Sequence, residues 1–115
     1  MDIETFRDFC LSLKGTTEDL KWGDNLCFMV EGKIFVIASL DSGGLALKCD
    51  PDHFDALVSR DGISQGYHLA KRHWISLENL EVTSDNELKK LINTSRALVI
   101  SKLSKKLQQQ YSVGA

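Results

Sequence analysis

The chain has 115 residues, 43% apolar and 26% charged, with 14 Lys/Arg against 16 Asp/Glu. That length suits one domain built on a single core, and the composition excludes both an intrinsically disordered chain and a strongly basic nucleic-acid binder. The longest apolar run, Ile34 to Leu40, includes Ser39 and falls far short of the roughly 20 residues a membrane-spanning helix needs. Asp2, Glu4 and Asp8 stand where a secretory leader would be basic and then apolar, so a soluble, cytoplasmic globular domain is expected.

In chain order, Ile3, Phe6, Phe9, Cys10 and Leu13 form a stripe at helical spacing, with Asp2 as N-cap and Gly15 as the stop. Leu26, Phe28 and Val30 alternate along a strand, and Glu31-Gly32 separates it from Lys33–Ala38 in the manner of a two-residue hairpin turn. A second turn at Asp41–Gly44 leads into Leu45–Lys48, giving three antiparallel strands in meander order. Asp50-Pro51 opens a short helix whose buried side is Phe54, Leu57 and Val58, and Asp61-Gly62 ends it. The stretch Ile63–Ala70 reads as irregular, and His73–Leu77 returns to strand-like alternation. Ser84–Glu87 fits a capping box ahead of a long amphipathic helix carrying Leu88, Leu91, Ile92, Leu98, Val99, Leu103 and Leu107. The tail from Gln108 to Ala115 reads as frayed. The expected architecture is therefore α+β in two layers, an antiparallel meander sheet covered by the N- and C-terminal helices.

No nucleophile elbow, zinc-protease helix, phosphate loop or dinucleotide fingerprint occurs, so no catalytic residue and no cofactor are expected. Cys10, Cys27 and Cys49 form an odd set without C-x-x-C spacing and read as core thiols rather than a disulfide or zinc framework. His53, His68 and His73 read as surface or edge histidines. His68 and His73 flank Lys71-Arg72, whose charge opposes a bound cation, so no metal site is expected. A Cys49–His53 nucleophile–base pair would have to cross Asp50-Pro51 at a helix start, which argues against it. Trp22 could expose its ring to a base or a partner, or close one end of the core, whereas Trp74 is expected inside the helix–sheet core.

Charge is divided unevenly: residues 1–65 carry 6 Lys/Arg against 12 Asp/Glu, and residues 66–115 carry 8 against 4. The basic candidates are Lys33 and Lys48 at meander strand ends, Lys71 and Arg72 before the last strand, and Lys89, Arg96, Lys102, Lys105 and Lys106 on the final helix. Lys89, Asn93 and Arg96 fall within about 60° of one another and are expected to share a solvated face.

Laid out in order, Trp22-Gly23, Gly32–Phe35, Leu45–Lys48 with Asp50-Pro51, Trp74-Ile75 and the helix positions Glu87-Leu88, Leu91-Ile92, Ser95 and Leu98-Val99 make a pattern. With it the chain resembles the MmcQ/YjbR family, small bacterial proteins of the CyaY-like fold, from the first helix to about Lys106. It departs from that family in having Ser95-Arg96 where Ser-Tyr is common, and in lacking a proline before Trp22. The resemblance implies a two-layer α+β domain and DNA binding through a "double-wing" arrangement of the sheet. The nucleic-acid contacts would be Lys33, Lys48, Lys71, Arg72 and Arg96, touching phosphates with little sequence reading. The alternative is a protein–protein interaction module. A monomer without membrane attachment is expected. Clustering of Lys33, Lys48, Lys71 and Arg72 on one face would favour DNA, and scatter among acidic residues would favour a protein partner.

Overall fold

A computed structural model of the chain describes residues 1–66 and 69–111. Four helices, α1 (Ile3–Ser12), α2 (Phe54–Val58), α3 (Asp85–Ile100) and α4 (Lys105–Tyr111), accompany six strands. The strands are β1 (Thr16–Lys21), β2 (Asn25–Val30), β3 (Lys33–Ser39), β4 (Leu45–Lys48), β5 (Ile63–Gln65) and β6 (Trp74–Leu77). All pairings are antiparallel, in the order β1-β2-β3-β4-β6-β5. Phe6, Cys10, Phe54, Leu88, Ile92 and Val99 from the helices join Phe28, Val36, Leu47, Ile75 and Leu77 from the strands in one buried core, so the α+β two-layer reading holds.

The local signals act as their chemistry requires. Asp2 caps α1 by accepting from the Thr5 N–H at 2.7 Å. Glu31 and Gly32 both take positive φ, 51° and 74°, which is the twist a two-residue hairpin needs. Ser84 accepts from the Glu87 N–H at 3.2 Å, but the capping box is not reciprocal, because the Glu87 carboxylate turns to Arg60, whose Nη2 donates to it at 2.8 Å.

Three expectations need correction. The sheet has six strands, not four: β1 carries the polar run Thr16–Lys21, with no apolar alternation because it is an edge strand, its Glu18 bound by Arg7 of α1 through both carboxylate oxygens. Within the stretch read as irregular, β5 forms as the opposite edge on β6, and His68 lies outside the described residues. The final helix does not run unbroken to Leu107. It stops at Ile100, the Gln108 amide donates to the freed Ser101 and Leu103 carbonyls, and Ser104 restarts the chain as α4, which stays helical through Tyr111 where fraying was expected. Tyr111 stacks against Lys14 and Arg96, its hydroxyl reaches Glu31, and a Cβ at Gly15 would lie 2.8 Å from its ring.

The junction of α3 with the sheet is the most constrained part of the fold. Between Phe28↔Val36 and Met29↔Ile34 the β2–β3 register slips, leaving Phe35 as an extra, bulged residue. On the other side of β3 the ladder with β4 ends at Val36↔Leu47, so Phe35 and Lys48 would be the next pair. They do not meet. The fully buried Ser95 hydroxyl stands between them, donating to the Phe35 carbonyl at 2.6 Å and accepting from the Lys48 N–H at 2.9 Å. A single hydroxyl satisfies two backbone groups that the open strand ends would otherwise leave buried and unpaired.

Three measurements follow from these contacts. Ser95→Ala strands both backbone groups and should lower unfolding free energy by about 1–3 kcal/mol in denaturant titration; an unchanged midpoint would deny Ser95 its role. Cys10, Cys27 and Cys49 are at most 3% exposed, and burial pushes the Cys10 thiol up to about 12, so all three should resist a thiol reagent until denaturant is added. Rapid native-state labelling would contradict their burial. Finally, hydrogen bonds from Arg7, Arg60 and Arg72 hold Glu18, Glu87 and Asp55 below the ordinary carboxylate range. Folded pKa values below the unfolded ones mean that this stabilisation is present above the unfolded pKa and is lost as pH falls through the folded pKa. Thermal stability should accordingly be flat near neutrality and fall below about pH 4, and an acid-insensitive melting point would contradict these pairs.

Candidate nucleic-acid interface

Because Ser95 holds the ends of β3 and β4 apart, the strand ends and the C-terminal end of α3 enclose an open groove of about 490 Å³. Its walls are Gly32, Lys33 and Ile34 from the start of β3, Lys48 from the end of β4 and Trp74 from the start of β6. Val99, Lys102 and Leu103 close the helix side. Three lysines thus share one concavity with an indole and three aliphatic side chains, and no carboxylate of the described residues lines it. None of the three lysines is ion-paired among the described residues. Lys48 and Trp74 are direct cross-strand partners, which puts their Cβ atoms about 5 Å apart.

The other basic candidates go elsewhere. Arg72 makes a two-pronged pair with Asp55 at 3.0 and 3.1 Å and lies over the Phe54 ring at 5.2 Å, stapling the turn before β6 to α2. Its φ of 67° is a left-handed conformation that this staple holds in place. Arg96 is turned inward: Nη2 donates to the Lys14 carbonyl at 2.6 Å, the guanidinium stacks on Tyr111, and desolvation lowers its pKa. Lys89 lies 5.4 Å over the Phe9 ring. Lys89 and Arg96 are therefore half-buried against Phe9 and Lys14 rather than on a solvated face, and of the three residues expected there only Asn93 is exposed. Lys71 is exposed in the turn leading into Trp74.

Trp74 departs from its expected place. Ile75 and Leu77 take the core positions of β6, and Trp74 is left half-buried in the groove. Gly66 makes this possible, because a Cβ there would come within 2.7 Å of the Trp74 Cβ. Trp22 is 69% exposed at φ 50° in the turn between β1 and β2, so of its two readings the displayed ring is the one realised. Of the four residues whose clustering would favour DNA, Lys33 and Lys48 share the groove with Lys102, Arg72 is paired with the acidic Asp55, and Lys71 is not among the lining residues. Sequence reasoning had placed Lys102 only among helix-face charges, and its spacing from Val99 and Leu103 was the available signal.

The Cys49–His53 pair is not arranged for nucleophilic chemistry. Cys49 and His53 line one small cavity, but the Cys49 thiol is directed at the Arg72 carbonyl at 3.6 Å, and burial raises its pKa, the reverse of nucleophile activation. Among the described residues no three His, Cys, Asp or Glu side chains gather to hold a metal ion, and no helix is long and apolar enough to cross a membrane.

Comparison with known proteins places this architecture. The Escherichia coli O157:H7 protein YbdF is 37% identical over 92 residues, covering 76% of this chain and 74% of its own. Bacillus subtilis YyaQ is 30% identical over 79 residues, covering 69% and 67%. Among solved structures, the Deinococcus radiodurans protein DR2400, with its DUF419 domain, superposes with a TM-score of 0.86 at 24% identity over 95% of this chain and 86% of its own. A Pseudomonas syringae protein gives 0.71 at 23% identity, covering 85% and 98%. These two show the same fold. The YjbR family model matches residues 11–98, from the last two residues of α1 almost to the end of α3, and takes in Ser95, Lys33, Lys48 and Trp74; the chain belongs to the YjbR family.

Proposed function

We propose that this chain is a non-catalytic DNA-binding domain that grips the phosphate backbone with little sequence selectivity. The observation that carries the reading is the groove, in which Lys33, Lys48 and Lys102 converge with no carboxylate among the lining residues. Net charge is −2, so the attraction is local, and the unpaired lysines rather than the protein as a whole supply it. Arg72 and Arg96 serve the fold, since their charges are engaged by Asp55 and by Tyr111 and the Lys14 carbonyl.

A protein-interaction reading has its own observation. The large hydrophobics exposed among the described residues, Ile3, Leu20, Trp22 and Leu40, gather at the other end of β3. Ile3 and Leu40 line one cavity there with Ala38, and the Leu40 N–H binds the Asp24 carbonyl beside the Trp22 turn. The two readings use opposite ends of the molecule and are separable by mutation.

Titrating labelled DNA, both as a duplex and as a single strand, at several salt concentrations tests the proposal. Three to four phosphate contacts predict a slope of log affinity against log salt of about −3, similar for unrelated sequences. Changing Lys33, Lys48 and Lys102 together to alanine should bring the slope to about −1 or shallower, whereas Trp22→Ala should leave it unchanged. Absence of binding at low salt, a slope indifferent to the three lysines, or cleavage of the DNA would contradict the reading.

A further inference from the structure

We infer that the groove takes single-stranded nucleic acid, with one base stacked on Trp74 and the flanking phosphates on Lys33, Lys48 and Lys102. This rests on the phosphate-binding reading of the same groove and goes further by naming the form of the ligand. The reason is the composition of the walls. Phosphate neutralisation needs only lysines, yet half of the lining is apolar: Ile34, Trp74, Val99 and Leu103. A duplex turns its sugars and phosphates outward and keeps the base faces stacked inside, so an apolar floor beneath it would be desolvated for no return. A single strand carries its base faces free, and an aromatic beside a basic rim is the recurring arrangement for holding them without reading sequence.

The geometry within the site fits one nucleotide step. Lys48 and Trp74 arise from directly opposed positions on β4 and β6, so an ammonium group and an indole stand side by side, as a phosphate and its base are set apart by one sugar. Lys33 and Lys102 rise from the other two walls, where the chain of the ligand would enter and leave. At about 490 Å³ the groove lies within the roughly 300–1,000 Å³ of clefts that enclose small ligand moieties. Gly66 keeps the space behind the Trp74 Cβ clear, as any side chain there would displace the indole.

The chain has two tryptophans, so Trp22→Phe leaves Trp74 as the sole indole reporter. In that background, oligothymidylate at low salt should quench Trp74 fluorescence and bind about tenfold or more tightly than a duplex of equal length. Trp74→Phe should retain most of the single-strand affinity, and Trp74→Leu, checked for folding by circular dichroism, should lose about tenfold while keeping the salt slope. Should Trp74→Leu fail to fold, the quenching and Trp74→Phe results still decide. Duplex binding as tight as single-strand binding, without quenching, would overturn this inference and leave the DNA-binding proposal standing. Quenching by thymidine monophosphate as effectively as by the oligomer would also overturn it, in favour of a nucleotide site. If neither form of DNA binds, both fall together.

Discussion

One hydroxyl sets the geometry on which the functional reading depends. Ser95 enters the β3–β4 ladder where Phe35 and Lys48 would have paired, taking the hydrogen of one and giving its own to the other. Both backbone groups therefore stay hydrogen-bonded while the strands part, and α3 is pinned to the parting point in the middle of its apolar stripe of Leu88, Ile92 and Val99. The bulge at Phe35 is the other half of the arrangement, because the added residue turns both Phe35 and Val36 into the core and swings the start of β3 toward the helix end. Lys33, Lys48, Trp74 and Lys102 come together as a consequence, from four separate elements.

The same structure separates cations that hold the fold from cations that are free. Arg7, Arg60 and Arg72 each engage a carboxylate across an element boundary, joining α1 to β1, α2 to α3 and the turn before β6 to α2. Guanidinium suits that work, since its planar fork meets both carboxylate oxygens. The groove is lined instead by lysines, point charges on flexible stems that can follow a phosphate chain without imposing one geometry. Arg96 is used inwardly: its guanidinium and the Tyr111 ring stack to hold α4 against the corner of α1 and β1.

How much of this could be read from the chain alone differs by element. The caps at Asp2, Asp50 and Ser84, the Glu31-Gly32 hairpin and the amphipathic stripes of α1 and α3 are local signals, and they placed the meander and the covering helices. Thr16–Lys21 and Ile63–Gln65 escaped because edge strands bury too little to show alternation, and their pairing is decided by neighbours distant in sequence. The break before α4 escaped because Leu103 and Leu107 continue the apolar spacing across it. Lys33 and Lys48 were legible as strand-end lysines, but their convergence was not, since a bulge leaves no mark in composition and Ser95 looks like an incidental polar residue on an apolar stripe. The usual burial of tryptophan points Trp74 into the core, and β6 gives the core positions to Ile75 and Leu77 instead.

Ligand contact where the strand ends part at Ser95 can be mapped by backbone-amide and indole N–H chemical shifts during titration with an oligonucleotide. The account predicts that the largest changes fall on Gly32–Phe35, Lys48, the Trp74 indole and Val99–Leu103, with Leu20–Asp24 and Leu40 unmoved. Changes confined to Leu20–Asp24 and Leu40, or spread evenly over the surface, would contradict it.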